Sequence, residues 1–332
     1  MCHFLDIPLT CAAQGQRSAS YTLERMNDSA ISRRRVLALA GALGLLTGCG
    51  ASGAPRESTL RLATGPEGAV YREIGGAIAE VIGQQWPQTR VQVRHTDAGW
   101  ENVILMAQGS VDLALTNIDI IYGEQSSVLA LGRLFDSVFH VIVPRHSEIQ
   151  TLDDLDELRI ACGQRLSGTR YMAETIFAET GIAPQLSDFS QSASMAALDA
   201  GEVDAVVSLT GMPTPALVDA AEHADYRLLP LGAAVDAVLD AHPMHYLPVT
   251  IPSSMYPGLG SVRTLVVPTL LVVDPGFDDD LATGLTGLVF DNAGQLSQAH
   301  PGAGQINVRT GSATLPVPLH PGATRWFQEN KP

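Results

Sequence analysis

The sequence is nearly free of lysine and poor in aromatic residues. Lys331 is the only lysine among 20 basic residues, and Phe, Trp and Tyr together make up 5% of the chain. Against these stand 35 acidic residues, which give a formal net charge of −15. A chain this acidic is repelled by the phosphate backbone of nucleic acids, so we expect no nucleic-acid partner.

Motifs typical of catalysis and of metal or nucleotide binding are also missing. The chain has no Gly-x-Ser-x-Gly, no Cys-x-x-Cys and no His-Glu-x-x-His stretch, and residues 64–71 lack the G-x-G-x-x-G spacing of a dinucleotide-binding turn. Cys162 stands in an apolar run and is predicted to be a buried strand cysteine rather than a nucleophile. The sequence therefore predicts no enzyme, no metal site and no cofactor.

The apolar run nearest the N-terminus is too short to cross a membrane. Residues 36–46 form eleven apolar or glycine positions, whereas a spanning helix needs about 20. Arginines at 33–35 precede the run, and Leu46-Thr47-Gly48-Cys49 closes it, which is typical of a secretory signal and resembles a bacterial lipobox. We expect residues 26–48 to be a lipoprotein signal peptide and Cys49 to carry lipid; Sec and twin-arginine export both stay open.

The expected signal leaves two short flanking segments. Met26 would give it a compact basic start, so we interpret residues 1–25 as a spurious upstream extension. Residues 49–57 are small and polar and are predicted to be a flexible tether. The folded body is expected to begin near Ser58.

The body alternates strand and helix patterns, which predicts an α/β fold with parallel strands. The pattern runs from residue 58, restarts near 158, and includes strands at 137–143 and 262–273. Gly-x-Val-Asp occurs before a core strand at 109–112 and again at 201–204, which indicates two equivalent lobes. We expect residues 58–145 and 250–332 to form lobe 1 and residues 146–249 to form lobe 2.

Three predicted helix starts follow strands and are marked by glycine or proline. Unpaired N–H groups at such starts suit an anion such as a carboxylate, and equivalent starts from two lobes can face one cleft. The candidate ligand-binding residues at these starts are Thr64, Gly65, Gly68, Tyr71, Ser167, Gly168, Thr169, Arg170, Gly211, Pro213 and Thr214.

Two charges near these starts leave alternatives open. Arg170 is either a bidentate cation for a carboxylate or a solvated arginine on a helix face. If Glu67 faces the cleft, the solute carries an amino group or another cation; if it points to water, the simple carboxylate interpretation stands.

Seven short stretches, at 64–71, 101–102, 109–114, 166–170, 211–215, 251–258 and 318–323, together resemble the TAXI family, the extracytoplasmic solute-binding subunits of TRAP transporters. The family's Thr-Gly-x-x-Gly-Gly-x-Tyr is similar to residues 64–71, and its Gly-Ser-Gly-Thr-Arg is similar to residues 166–170. Further similar stretches follow in the family's order at 101–102, 109–114, 211–215, 251–258 and 318–323. Together they cover nearly the whole body of the chain.

The resemblance implies a type II periplasmic-binding-protein fold, with two α/β lobes around a ligand cleft joined by crossover strands. It also implies a glutamate-like amino acid or a dicarboxylate as ligand, and adds Asn117 and Asp119 to the candidate binding residues. The chain departs from the family at 97–100 and 164–166. Trp100 either stacks on a planar ligand or packs as a half-buried core residue.

We therefore expect a non-enzymatic, monomeric lipoprotein on the outer face of the cytoplasmic membrane. It would capture a small carboxylate and deliver it to the membrane subunits of a TRAP transporter. A sensor that presents its bound state to a membrane histidine kinase is the alternative that stays open.

Overall fold

A computed structural model describes residues 58–223 and 225–330. The expected start at Met26, the signal peptide, the lipidated Cys49 and the tether at 49–57 lie outside the described residues. Within the described part, no helix is long and apolar enough to cross a bilayer.

Ten strands form a single sheet in this part of the chain. They are β1 (Ser58–Ala63), β2 (Thr89–Arg94), β3 (Leu113–Asn117), β4 (Leu129–Pro144), β5 (Arg159–Ala161), β6 (Gln185–Ser187), β7 (Ala205–Thr210), β8 (Tyr226–Leu228), β9 (Leu247–Ile251) and β10 (Val262–Val273). The main order is β2-β1-β3-β10-β4-β7-β5-β6, with β8 paired to β4 and β9 paired to β10.

The two longest strands, β4 and β10, run antiparallel through the middle of the sheet. A set of mutually parallel strands attaches on either side. On one side β3 pairs antiparallel with residues 269–273 of β10, and on the other β7 pairs antiparallel with residues 138–142 of β4. We call β1, β2 and β3 the first half-sheet and β5, β6 and β7 the second half-sheet. Strands β4 and β10 therefore belong to both sides and are the expected crossover strands.

The carboxyl ends of both half-sheets meet near the middle of these crossover strands. Asn117 ends β3 opposite Thr269, and Thr210 ends β7 opposite Val138. Thr269 in turn pairs with Phe135 of β4, close to Val138. Ligands of open α/β sheets bind beyond the carboxyl ends of the strands, so this topology concentrates two such regions in one place.

Helices cover both faces of the sheet. They are α1 (Val70–Gln85), α2 (Gly99–Ala107), α3 (Ile118–Gly123), α4 (Gly168–Thr180), α5 (Gln191–Asp199), α6 (Pro215–His223), α7 (Ala234–Ala241), α8 (Asp279–Asp291), α9 (Ala293–Ala299), α10 (Val308–Gly311) and α11 (Pro321–Asn330). One apolar cluster joins α1, α8, α9 and α11 to the first half-sheet; another joins α2, α4 and α7 to strands of both half-sheets.

The repeated Gly-x-Val-Asp stretch has the same structural role in each half-sheet. Asp112 accepts hydrogen bonds from the backbone N–H and the guanidinium of Arg61, at 2.6–2.9 Å. Asp204 accepts the same set from Arg159, at 2.6–3.0 Å. Each aspartate thus joins the start of a core strand to the neighbouring strand, which explains why the pattern occurs twice.

Strand β4 begins much earlier than the pattern predicts. A strand was expected at 137–143, but the structure extends it from Leu129 to Pro144. The added stretch contains Gly132 and Asp136, whose residue types are depleted in strands. Together with Arg133 they leave the stretch without a clean alternation of apolar and polar residues. Pairing with β10 overrides these local preferences, and register shifts near Thr269 accommodate the irregularity.

Candidate ligand-binding site

A cavity lies where the carboxyl ends of the two half-sheets meet. It contains about 580 Å³ of free space, counting the open solvent at its mouth. Each of the six parallel strands contributes a lining residue at or just beyond its carboxyl end. These residues are Pro66 after β1, Asp97 after β2, Asn117 in β3, Gly163 after β5, Ser190 after β6 and Thr210 in β7.

Three helices begin at this cavity. Their first residues line it: Val70 and Tyr71 of α1, Gly99 of α2, and Gly168 and Thr169 of α4. First-turn N–H groups have no acceptor in their own helix, and the helix dipole gives them a partial positive charge. Because α1 and α2 follow the first half-sheet and α4 follows the second, an anion here can accept hydrogen bonds from both sides.

The residues that precede two of these helices leave the N–H groups without a side-chain cap. Ala69 before α1 and Ala98 before α2 provide no capping hydrogen bond. By contrast, Ser167 caps α4, where its hydroxyl accepts the N–H of Arg170 at 3.2 Å. Alanine is a poor N-cap, so both uncapped helices give up local stability at the place where they face the cavity.

A buried polar network forms the floor of the cavity. The Tyr71 hydroxyl donates to Asn117 Oδ1 at 2.9 Å, and Asn117 Nδ2 donates to the Thr269 hydroxyl at 3.1 Å. Thr269 also lies 2.9 Å from the Ser137 hydroxyl and 3.3 Å from that of Tyr71. The network therefore connects the start of α1 and the end of β3 to both crossover strands, and burial raises the pKa of Tyr71.

Thr210 supplies a buried hydroxyl with no partner. Its side chain lines the cavity and the residue is 4% exposed, yet Oγ1 makes no hydrogen bond to any described residue. Burying a hydroxyl without a hydrogen bond costs about 1–3 kcal/mol. A ligand or a water molecule in the cavity can supply the missing partner.

The lining carries little charge. Asp97 is the one charged side chain among the described residues that line the cavity, and no lysine, arginine or histidine accompanies it. Several small apolar side chains complete the lining: Pro66, Ala69, Val70, Ala98 and Leu209. The described lining can therefore offer an anion backbone N–H, hydroxyl and amide donors but no basic side chain.

Comparison with known proteins places the chain in a family. The sequence profile of the NMT1-like family matches residues 62–330. The chain belongs to the NMT1-like family.

Solved structures of proteins with low sequence identity share the fold of this NMT1-like protein. XAC2383 from Xanthomonas citri, bound to ATP, aligns with 16% identity over 82% of this chain and 95% of its own, with a TM-score of 0.51. A Listeria monocytogenes protein whose name assigns it to L-cystine ABC transport aligns with 11% identity over 76% and 98%, at 0.51. The periplasmic aliphatic sulphonate binding protein SsuA from Escherichia coli aligns with 15% identity over 84% of each chain, at 0.46. The two-lobe fold of periplasmic binding proteins, expected from the sequence, is thereby confirmed.

The structure brings six of the expected binding residues together at the cavity. These are Tyr71, Asn117, Ser167, Gly168, Thr169 and Gly211. The other expected residues lie outside its lining: Thr64, Gly65, Gly68, Asp119, Arg170, Pro213 and Thr214.

Arg170 is held by carboxylates of its own lobe. Its Nε donates to Glu174 Oε1 at 2.6 Å, and its Nη1 donates to Asp188 Oδ1 at 3.1 Å. The guanidinium side chain is 15% exposed and lies outside the cavity lining. Of the two alternatives for Arg170, neither describes this arrangement: it is a partly buried ion-pair residue that ties α4 to the segment after β6.

Other expected residues have structural partners. Thr64 is fully buried, and its hydroxyl donates to the Arg94 carbonyl at 3.2 Å. Asp119 is buried at the start of α3 and accepts the Tyr246 hydroxyl at 2.9 Å. Thr214 lines a smaller neighbouring cavity and donates to the Gly211 carbonyl at 3.2 Å. Their polar groups are therefore engaged within the protein.

Several lining residues were not among the expected ones. They are Pro66, Ala69, Val70, Asp97, Ala98, Gly99, Ser137, Gly163, Gln164, Ser190, Leu209 and Thr210. The departures from the TAXI pattern at 97–100 and 164–166 include four of them, Asp97, Ala98, Gly99 and Gln164, so a departure was itself a usable signal. Trp100 contacts Tyr171 edge to face, with ring centroids 5.2 Å apart, and lies outside the cavity lining as a half-buried packing residue.

Burial keeps two potentially reactive side chains, Cys162 and His140, in their neutral forms. Burial raises the pKa of Cys162 to about 12, so its thiol stays protonated. It lowers the pKa of His140 to about 4, so its imidazole stays neutral. Among the described residues, no group of three or more His, Cys, Asp or Glu side chains is placed to hold a metal ion.

Proposed function

We propose that the protein is a non-enzymatic solute-binding protein that captures a small carboxylate in this cavity and delivers it to a membrane transporter. One observation carries the proposal. Helix starts from both half-sheets converge on a cavity that also contains the unpartnered Thr210 hydroxyl. An anion bridging both sides would satisfy donors from each, which favours a closed form over an open one.

Contacts across the cleft support a closing motion. The Glu101 N–H of α2 donates to the Leu166 carbonyl just before α4, at 3.1 Å. Beside it, Trp100 of α2 packs on Tyr171 of α4. Both contacts join an element of the first half-sheet to one of the second, so they hold the two sides together around the cavity.

The transporter is proposed to be of the TRAP type. The ordered TAXI-like stretches and membership in the NMT1-like family support this assignment. In this proposal residues 58–145 and 250–332 form lobe 1, residues 146–249 form lobe 2, and Cys49 anchors the exported, monomeric protein to the outer face of the cytoplasmic membrane.

The absence of a usable acid–base pair at the cavity supports binding without chemistry. Its ionisable side chains in the described lining are Asp97 and Tyr71, and the Tyr71 hydroxyl donates a hydrogen bond to Asn117 Oδ1. Catalysis would need a nucleophile with a base in reach, or an acid and a base on opposite sides of a reacting group.

A closure-blocking variant tests the function. A Cβ added at Gly168 would lie 2.8 Å from Asn117 Oδ1 of the other half-sheet, so Gly168→Ala should hold the cleft open. The matched control is Gly76→Ala, where an added Cβ meets nothing within 4 Å. The wild type and both variants would be titrated with L-glutamate, L-glutamine, 2-oxoglutarate and other small carboxylates while thermal unfolding is followed.

A bound ligand at 100 times its dissociation constant should add about 2.7 kcal/mol to the stability of the wild type and the control. Gly168→Ala should lose most of this gain while its unliganded unfolding stays cooperative. Full ligand stabilisation of Gly168→Ala, or none in any protein across the panel, would contradict the proposed function.

A further inference from the structure

The proposed function leaves open which small carboxylate fits, and the charge of the cavity lining bears on this. A dicarboxylate would bring two negative charges to a lining with no basic side chain. The helix starts can hold one carboxylate through their N–H groups. A second would meet the small apolar side chains or the carboxylate of Asp97, and an unpaired charge is costly to desolvate.

Asp97 is itself unpaired. No described donor or cation is hydrogen-bonded or ion-paired to its carboxylate, although it lines the cavity and is half-buried. Burial, with added repulsion from Glu101 and Asp188, raises the pKa of Asp97. A positive group at this position would relieve both effects, since it would pair with the carboxylate and offset the neighbouring negative charges.

The turn that carries Asp97 is held rigidly. The Asp97 N–H donates to Glu101 Oε2 at 2.7 Å, and the Ala98 N–H donates to the Thr96 hydroxyl at 3.1 Å. Thr96 donates to Asn102 Oδ1 at 2.7 Å within the core. The backbone that carries the Asp97 side chain is therefore fixed in place before a ligand arrives, which lowers the entropy cost of binding.

Ala98 has a backbone conformation that side chains rarely adopt. Its φ is 89° and its ψ is −144°, in a region essentially reserved for glycine. Such strain persists where the surroundings enforce it, and it clusters at ligand-binding sites. Here it orients the turn that leads directly from Asp97 into α2.

From this arrangement, and on the basis of the proposed function, we infer that Asp97 binds the ammonium group of a zwitterionic α-amino acid whose side chain is uncharged. The ligand carboxylate lies at the helix starts, and the apolar lining surrounds its side chain. Asp97 and Gly99 are two residues apart on one turn, within about 7 Å, which suits two charged groups carried on a single carbon.

The inference also resolves the question raised by Glu67. That residue is exposed and lies outside the cavity lining, so it does not select the ligand. A carboxylate does face the solute, but it comes from the turn after β2. The inference therefore narrows the expected solutes, a glutamate-like amino acid or a dicarboxylate, to those that carry a positive group.

Matched pairs of ligands test this assignment. The probes are L-alanine with pyruvate, L-valine with 3-methyl-2-oxobutanoate, and L-glutamate with 2-oxoglutarate, plus glutarate as a dicarboxylate. Each pair differs in whether the α-carbon carries an ammonium group. Affinities would be measured by calorimetry for the wild type, for Asp97→Asn and Asp97→Ser, and for Glu67→Gln as a matched exposed control.

The wild type and Glu67→Gln should bind a neutral amino acid at least tenfold more tightly than its 2-oxo acid, as expected of a charge-assisted hydrogen bond. Both Asp97 variants should lose about tenfold to hundredfold in amino-acid affinity and keep their 2-oxo-acid affinity. Urea unfolding of both variants separates a lost contact from a damaged fold.

The outcomes separate this inference from the proposed function. If 2-oxo acids or glutarate bind and amino acids do not, the solute-binding function stands and the role of Asp97 is refuted. Unchanged discrimination in both Asp97 variants also refutes it. If no probe binds any of the proteins, both the inference and the proposed function fail.

Discussion

Replacing Asp119 with asparagine should remove a pH dependence of stability that the wild type shows between about pH 4 and pH 6. Asp119 begins α3 and is 2% exposed. Its Oδ2 accepts the Tyr246 hydroxyl at 2.9 Å, and its Oδ1 accepts the Ile120 N–H at 2.9 Å. Burial raises the pKa of this carboxyl to about 6, although these hydrogen bonds and the charge of His242 oppose the shift.

The magnitude follows from the difference between the folded and unfolded pKa values. The unfolded value is 3.8 and the folded value is about 6, a difference of about 2 units. At about 1.36 kcal/mol per unit, burial of the ionised carboxylate costs about 3 kcal/mol above pH 6. Because the folded pKa is the higher one, the contribution of Asp119 to the free energy of unfolding is greatest below pH 3.8 and declines as the pH rises through 6.

Asparagine should keep the local hydrogen bonds without the ionisation. Its carbonyl can accept the Ile120 N–H, and its amide can donate to the Tyr246 hydroxyl. The free energy of unfolding would be measured in urea at half-unit steps from pH 4 to pH 8. Since a small part of the effect is already present at pH 4, the difference between variant and wild type should change by about 2 to 2.5 kcal/mol over this range, in favour of the variant at high pH.

His242 and His245 pack against Tyr246, but they are present in both proteins, so most of their effect cancels in the difference. Asp153→Asn, at an exposed acid, is the control for the exchange of a carboxylate for an amide. A flat difference for Asp119→Asn would refute the raised pKa. A difference of opposite slope would show that the native fold stabilises the charged form.

Three further variants test other features by urea unfolding. Ala98→Gly should raise the free energy of unfolding by about 1 kcal/mol, because glycine adopts the strained backbone without penalty; a loss of stability would contradict the strain. Asp112→Ala should lower it by about 1–3 kcal/mol, since the hydrogen bonds from Arg61 lose their acceptor, and an unchanged value would contradict that role. Thr210→Val should be more stable by about 1 kcal/mol but bind its ligand about five- to tenfold more weakly in calorimetry; an unchanged affinity would show that the hydroxyl does not contact the ligand.

Local patterns predicted the paired lobes because the same residue types make the same contacts between neighbouring strands in both half-sheets. Gly-x-Val-Asp ends a helix and begins a core strand, and its aspartate then binds an arginine on the first strand of the same lobe. The partners, Arg61 and Arg159, each occupy the second position of an apolar stretch. Such a repeat is visible without tertiary information because every part of it lies in a short, regular sequence.

Non-local partners explain what the patterns missed. Residues 129–136 become strand only because β10, more than 120 positions later, pairs with them. Two carboxylates hold the Arg170 guanidinium outside the cavity lining: Glu174, one turn later in α4, and Asp188, 18 residues away beyond β6. The helix starts at Val70 and Gly168 were predictable from glycine and alternation, whereas the direction of each side chain depended on partners in other elements.

The polar floor of the cavity links ligand contacts to the crossover strands. Tyr71 and Asn117 line the cavity, and both are hydrogen-bonded to Thr269 of β10, which also contacts Ser137 of β4. All four residues are at most 7% exposed, so bending at the crossover strands must either move them together or break bonds that water cannot readily replace. The floor therefore keeps one geometry with respect to β4 and β10. Any motion between the half-sheets then changes the positions of the uncapped helix starts and the contacts between α2 and α4.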